Sequence, residues 1–170
     1  MKFVSFQDPA TNILKLEPRT TLFIVSCTKE KIWDENNEIP SYIDAKDAYT
    51  GIQFKKFLKW YQINEFKKLG YLWVILSGKY GFIEPNHPII WYDINMDNSK
   101  HYPISTKTLK NQVNQMRRWK KEQDFLEIRL REFNTIICVN CSNYYLNRLR
   151  KCFRNHILLK IDDFNSIKSV

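Results

Sequence analysis

The chain has 170 residues, of which 44% are hydrophobic and 15% are aromatic. This length suits one domain with a sizeable core, and the hydrophobic content excludes a disordered chain. No apolar run approaches the roughly 20 residues of a membrane-spanning helix, and the first residues lack the layout of a signal peptide. We therefore expect a cytoplasmic protein with no membrane partner.

The chain is also strongly basic, with 27 basic and 18 acidic residues and a formal net charge of +9. An excess of positive charge favours a polyanionic partner, and nucleic acid is the usual one. General solubility, or the lysine and isoleucine bias of a genome poor in G and C, would produce the same excess.

The four cysteines are expected to be reduced, since disulfides are rare in cytoplasmic proteins. Cys138 and Cys141 have the C-x-x-C spacing of many metal sites. However, Cys138 lies inside an apolar run, and the sequence has no second pair with similar spacing. We therefore predict buried thiols and no metal.

Short apolar runs predict four strands, at residues 21–27, 72–76, 135–139 and 156–161. The first three are apolar throughout, which is typical of strands covered on both faces in a parallel sheet. Helical patterns occur between them, at residues 45–69, 105–132 and 145–154. This alternation predicts a three-layer α/β/α fold with a mainly parallel, four-stranded central sheet. Residues 1–20 are expected to be an N-terminal arm with at most one short strand, and residues 21–170 a single α/β catalytic domain.

The ends of these strands are the first place to look for chemistry. Right-handed crossovers would bring Ser26, Ser77 and Asn140 to one edge of the sheet, where open α/β folds bind ligands. The segment S-G-K-Y-G at this edge contains two of the four glycines of the chain, Gly78 and Gly81. This placement predicts a positive φ or a close backbone approach. Residues 77–103 are expected to form a long functional loop.

Several motifs together resemble one family of small α/β domains. They are I-V-S-C-T-K-x-K-I-W at 24–33, A-K-D-A-Y-T-G at 45–51, W-V-I-L-S-G-K-Y-G-F-I-x-P at 73–85 and Y-D at 92–93. The likeness covers about residues 21–160, and the family is similar to the YaaA group and to domains of the uracil-DNA-glycosylase-like fold. The resemblance implies that the chain handles bases in DNA, because relatives include glycosylases that act on modified phage bases in bacterial defence.

The sequence departs from its relatives in ways that bear on the substrate. Gly78 stands where many relatives carry alanine, and we expect either residue to be tolerated. The water-activating motifs of ordinary uracil glycosylases, aspartate-proline-tyrosine and histidine-proline-serine-proline, are absent. The expected substrate is therefore a modified base rather than uracil.

Cleavage of an N-glycosidic bond passes through an oxocarbenium-like sugar, which a carboxylate stabilises while donors hold the leaving base. The leading carboxylates are Asp47 and Asp93. Asp47 would also suit the start of a helix for electrostatic reasons, and Asp93 would also suit a solvated turn. Glu84 and Glu38 are weaker candidates.

Lys79, between the paired glycines, is the third catalytic candidate. It would hold a phosphate or the base, or attack the sugar as an amine if burial lowered its pKa; the alternative is a surface lysine on a turn. Weaker acid or base candidates are His87 and His101. The remaining predicted substrate-binding residues are Ser26, Cys27, Lys29, Tyr49, Ser77, Gly78, Tyr80, Tyr92 and Asn140.

Two basic clusters suit phosphate contacts, although solvated helix faces explain them almost as well. The residues are Arg117, Arg118, Lys120, Lys121, Arg148 and Lys151. The sequence has no phosphate loop of the NTPases and no dinucleotide loop, which argues against an NTPase or a nicotinamide enzyme.

Together with these residues, the resemblance implies a DNA glycosylase of antiviral defence that removes modified bases from duplex or single-stranded DNA without a cofactor. One alternative is a ribosyl- or deoxyribosyltransferase on small nucleosides, which uses similar carboxylate chemistry. The other alternative is a basic nucleic-acid-binding module without enzymatic activity.

Overall fold

A computed structural model describes residues 4–8, 11–35, 38–97, 101–120, 125–161 and 167–169. The strands are β1 (Val4–Asp8), β2 (Thr11–Leu16), β3 (Thr21–Ser26), β4 (Ile43–Asp44), β5 (Leu72–Ser77), β6 (Gly81–Ile83), β7 (Pro88–Ile89), β8 (Arg117–Lys120), β9 (Phe125–Ile128), β10 (Thr135–Val139), β11 (Ile157–Ile161) and β12 (Ile167–Ser169). The helices are α1 (Ala45–Ala48), α2 (Ile52–Ile63), α3 (Thr106–Asn114) and α4 (Asn143–Cys152), with short 3-10 turns at Ile32–Asp34 and Leu130–Glu132.

The central sheet has the order β11-β10-β3-β5-β6. Its first four strands are parallel, and every residue of β3 and β10 is buried. The four predicted strands and their mainly parallel arrangement are therefore confirmed. The predicted number of strands is wrong, because β6 turns back and pairs antiparallel with β5 through Ser77 and Gly81. With only three residues, β6 is too short to give a sequence pattern.

Helices cover both faces of this sheet. Phe23 and Val25 point into one core cluster, which contains the buried side of α2. Leu22 and Ile24 alternate with them and point into the other cluster, with the buried sides of α3 and α4. Because both faces of β3 are packed, apolar residues occupy every position from 22 to 25.

The connections place the carboxyl ends of β3 and β10 at a topological switch point. From β3 the chain passes through α2, on one face, to the neighbouring strand β5. It then returns through α3, on the other face, to β10 on the opposite side of β3, and continues through α4 to β11. Since the two paths diverge between β3 and β10, a crevice is expected at their carboxyl ends.

The predicted helix at 45–69 is wrong in extent. Two helices, α1 and α2, lie within it, because Tyr49 pairs with Lys31 in a β-bridge and the N–H of Thr50 donates to the carbonyl of Glu30. A helix cannot make these pairings. The second helix ends at Ile63, and residues 64–70 form turns.

The predicted helix at 105–132 is also wrong beyond residue 114. Ser105 caps α3 as expected, since its hydroxyl accepts the N–H of Thr108. An antiparallel hairpin of β8 and β9 follows, in which Trp119 pairs with Leu126. The alternation of exposed Phe125 with half-buried Leu126 is the period of a strand, and the surrounding charges obscured it.

The N-terminal arm contains more structure than predicted. Strands β1 and β2 form a hairpin, and β12 adds to it as a third antiparallel strand. Leu16 is buried in the core, and its carbonyl accepts the hydroxyl of Tyr71 at 2.9 Å. The predicted loop at 77–103 contains β6 and also β7, which pairs with β4.

We predict that Phe23→Ala destabilises the protein by about 3–5 kcal/mol, because the substitution leaves a cavity in the core. The Phe23 ring lies within 6.4 Å of the ring centroids of Phe57, Trp60, Tyr61, Phe66 and Tyr71. Urea denaturation measures the change. The control is Ile63→Ala, on a side chain that is 66% exposed, which should change the free energy of unfolding by no more than about 0.5 kcal/mol. Equal losses in the two variants would contradict the assignment of Phe23 to the core.

Candidate functional site

A hydrogen bond joins two neighbouring strand ends at the switch point. The hydroxyl of Ser26 donates to the carbonyl of Asn140 at 2.5 Å. Asn140 has a φ of 52°, and its side-chain amide donates to the carbonyl of Gln53 at the start of α2. Both predicted residues therefore lie at the shared edge, where they fix the ends of β3 and β10.

Cys27 follows directly after β3 at this edge of the sheet. It is half-buried, packs against both core clusters, and its Sγ is 3.3 Å from the hydroxyl of Tyr145. The same hydroxyl accepts the N–H of Met96 at 3.4 Å. Burial raises the pKa of Tyr145 well above its usual value, so the phenol stays protonated and remains a donor.

A cluster of three buried hydroxyls lies at the end of β5. The Tyr92 hydroxyl is 2.7 Å from that of Ser77 and 2.5 Å from that of Tyr49. Ser77 also accepts the N–H groups of Lys79 and Tyr80, both at 3.1 Å, so its own proton is directed to Tyr92. Burial raises the pKa of Tyr49 and of Tyr92 above the usual value, and the cluster is therefore neutral.

Lys31 is the functional candidate that sequence reasoning missed. Its residue exposure is only 3%, and its Nζ donates to the carbonyl of Lys29 at 2.9 Å and lies 4.5 Å from the ring centroid of Tyr92. The bridge to Tyr49 and a 2.8 Å bond from its N–H to Asp34 hold the backbone in place. The predicted Lys29 is exposed instead.

Burial sets the electrostatics of Lys31. It lowers the pKa of the amine below 10.5, and interactions with Cys27, Asp34, Asp93 and Glu30 oppose that shift in part. In the sequence, Lys31 differs from Lys29 only in that the apolar residues Ile32 and Trp33 follow it directly. Burial of one lysine rather than the other is a tertiary effect.

The carboxylates separate into different environments. Asp93 is exposed and acts electrostatically on Lys31. Asp47 is exposed on α1, and Glu84 forms an ion pair with Arg117 at 2.6 Å. The weaker candidate Glu38 is exposed as well. Of the predicted carboxylates, Asp93 is thus the one that acts on the buried amine.

Asp34, which sequence reasoning did not name, supports the same region. Its carboxylate accepts the indole N–H of Trp91 at 2.9 Å, and this bond is the main reason why its pKa lies below the usual value. The carboxylate also accepts the N–H of Lys31. Asp34 therefore joins the turn after β3 to the segment that carries Asp93.

Lys79 and Tyr80, two of the predicted site residues, lie beside the Tyr92 ring. The Nζ of Lys79 is 5.1 Å from the ring centroid of Tyr80 and 5.5 Å from that of Tyr92. The Tyr80 ring meets Tyr92 edge-on at 5.4 Å and His87 at 5.9 Å. His101 is exposed on the surface.

The two glycines of the turn act as predicted. Gly81 has a φ of 76°, and a Cβ at Gly78 would lie 2.6 Å from the carbonyl oxygen of Ile94. The expectation that alanine is tolerated at Gly78 is wrong for this chain, because the 94–95 backbone would have to move. Gly78 thus lets the segment after Asp93 pack against the strand end.

The predicted phosphate-binding residues do not form one surface. Arg117 bonds to Glu84 and to the carbonyl of Phe82, and Arg148 bonds to the carbonyl of Ile104. Arg118 stacks on the Phe125 ring at 4.0 Å, and Lys151 is exposed on α4. The side chain of Lys120 and all of Lys121 lie outside the described residues.

Other features of the described residues bear on metals and membranes. Cys138 and Cys141 are buried, as predicted, and a hydrogen bond with Cys138, together with burial, raises the pKa of Cys141. Within the described ranges, no group of three or more histidine, cysteine, aspartate or glutamate side chains could hold a metal ion. None of the helices described is long and apolar enough to span a bilayer.

Comparison of the chain with protein-family models, with curated proteins and with solved structures finds no match. The interpretation of the site therefore depends on its own geometry and on the motif resemblance.

We predict a pH signature of Lys31 burial. The unfolded amine binds a proton up to pH values near 10.5 and the folded amine only to a lower pH, so the folded state gains stability as the pH rises through this window. Lys31→Met removes that gain. Urea titrations should therefore show the stability of the wild type rising relative to that of the variant as the pH approaches 10.5.

Lys29→Met is the matched control, since Lys29 is exposed and loses the same charge. Its difference from the wild type should not change with pH in this way. If the difference in stability between Lys31→Met and the wild type does not depend on pH, the Lys31 amine has the same pKa in the folded and unfolded states, and the prediction is wrong.

Proposed function

We propose that the chain is a DNA glycosylase of the uracil-DNA-glycosylase-like fold that hydrolyses the N-glycosidic bond of modified bases. The observation that supports this most is the buried amine of Lys31, which faces the Tyr92 ring and interacts with Asp93 at the carboxyl edge of the sheet. A proton donor, a carboxylate and aromatic rings are the groups that the reaction needs.

Lys31 acts on the leaving base. A departing base takes up negative charge, which a nearby cation stabilises and a proton neutralises. An ammonium group whose pKa is lowered by burial gives up its proton more readily than an exposed lysine. Its bond to the carbonyl of Lys29 and its contact with Tyr92 orient the amine, so the base would lie between it and the sugar.

Asp93 acts on the sugar. A carboxylate beside the developing oxocarbenium ion stabilises its positive charge or removes a proton from the attacking water. Asp93 is exposed, and a substrate at the strand ends would therefore find it accessible. Packing of Ile94 and Asn95 against Gly78 holds its segment at the edge.

Aromatic side chains receive the base once it has left the stack. Trp91 is 52% exposed, and Tyr80 is half-buried over Tyr92. A base that is flipped out of DNA needs such a surface, because it gives up stacking within the nucleic acid. The neutral hydroxyls of Tyr49 and Tyr92 belong to the wall of this site, and their protonated state suits hydrogen bonds rather than nucleophilic attack.

We predict that Asp93→Asn abolishes base release, since the amide carries no charge to stabilise the sugar cation. Mass spectrometry of bases released from a panel of DNAs, including heavily modified phage DNA, measures the activity. The matched control is Asp47→Asn, the same change on an exposed aspartate of α1, which should leave release unchanged.

Loss of release in Asp47→Asn alone would move the carboxylate role to Asp47. Absence of release by the wild type, with conversion of free nucleosides instead, would identify a nucleoside transferase. Tight, salt-sensitive DNA binding without release in any protein would identify a binding module.

We predict that Lys31→Met lowers the rate of base release by about 10²–10⁴-fold, the usual contribution of a general acid. Lys29→Met, with its exposed side chain, should stay near the wild-type rate. In this proposal water attacks the sugar, and sodium borohydride should trap no protein–DNA adduct. An adduct that disappears in Lys31→Met would show instead that the amine is the nucleophile.

A further inference from the structure

A second polar region lies at the opposite edge of the sheet from the candidate active site. It is a cleft of about 280 Å³ between the carboxyl ends of α3 and α4 and the turn at Leu130–Glu132. Arg131 precedes β10 and His156 precedes β11, so the cleft lies at the amino ends of these parallel strands.

The lining of this cleft is basic and contains no carboxylate. Four cationic side chains contribute, Lys110, Arg131, Lys151 and Arg154, together with His156. Burial raises the pKa of Cys152, which also lines the cleft, to about 11, so its thiol adds no negative charge at neutral pH. Like charges gathered in one concave surface create a potential that attracts anions.

Part of the lining is held in place by hydrogen bonds. The guanidinium of Arg131 donates to the side chain of Asn114 at 3.0 Å, and the carbonyl of Arg131 lies 3.0 Å from Nε2 of His156. The buried Nδ1 of His156 has no hydrogen-bond partner among the described residues. Arg131 and His156 therefore form a hydrogen-bonded side of the cleft, next to the exposed Lys151 and Arg154.

The helix dipole explains only part of this charge. The carboxyl ends of α3 and α4 carry partial negative charge, which cations stabilise, and Lys151 lies in the last turn of α4. Arg131 belongs to neither helix. Its guanidinium bonds to Asn114 at the end of α3 and adds a further cation to the same cleft.

We propose that this cleft binds phosphate groups of a nucleic-acid backbone. The inference rests on the proposed function, in that the same nucleic acid would occupy the site at the strand ends. Strand β10 has five residues and spans about 17 Å between the two edges. This distance corresponds to about five nucleotides of one strand, so a polymer and not a mononucleotide reaches both.

The test measures binding of a fluorescent, unmodified 20-base-pair duplex to the full chain by anisotropy at several salt concentrations. In Lys151→Ala/Arg154→Ala, binding should weaken, and the slope of log K against log salt should fall by about 2, close to 1 for each lost phosphate contact. The matched control is Lys55→Ala/Lys59→Ala, which removes the same charge from exposed positions on α2. Its slope should stay near that of the wild type.

Three results would overturn the proposal. An unchanged slope in the cleft variant would show that Lys151 and Arg154 do not contact phosphates. An equal fall of the slope in the α2 control would show that only the net charge of the protein matters. ATP binding that disappears in the cleft variant, with duplex binding intact, would assign the cleft to a nucleotide. The duplex carries no modified base, so its binding can be measured even if the protein releases no base. Base release from short oligonucleotides is a separate measurement, which can succeed even if the cleft does not bind DNA.

Discussion

The burial of β3 on both faces is the constraint on which the rest of the structure depends. Its apolar residues pack into the two core clusters, one on each face of the sheet. Because its neighbours on both sides are parallel to it, the chain must cross over the sheet through helices. Those crossovers diverge at the end of β3. The polar residues at this end, Ser26 and Cys27, therefore contact neighbouring elements through Asn140 and Tyr145.

The path of the chain beyond β3 explains why one lysine is buried. After β3 the chain pairs with Tyr49 and turns at Asp34, and this path carries the side chain of Lys31 under the rings instead of out to water. Desolvation of an amine costs free energy, which the carbonyl of Lys29, the Tyr92 ring and the Asp93 charge offset in part. A charged group held at such a cost is typical of functional sites.

The parts of the fold that the sequence predicted are those set by local pattern. Continuous apolar runs identified the four parallel strands, and the paired glycines identified the turn that Gly78 and Gly81 build. Sequence reasoning missed three features: the helix break at Tyr49, the β8–β9 hairpin and the burial of Lys31 rather than Lys29. Each of them depends on contacts between segments that local pattern does not report. Helical spacing and basic charge concealed the hairpin, because arginines and lysines fit either structure equally well.

The basic residues behind the net charge of +9 lie in several different environments. Arg117 and Arg148 point inward and hold the loops around β6 and α3, so they add little to the outer field. Lys31 and Lys79 face the aromatic rings at the carboxyl edge of the sheet. A concave group of cations lies at the amino edge, next to Arg131. Cations thus lie at two opposite edges of one sheet, and the proposed contact with a polymer rests on this arrangement.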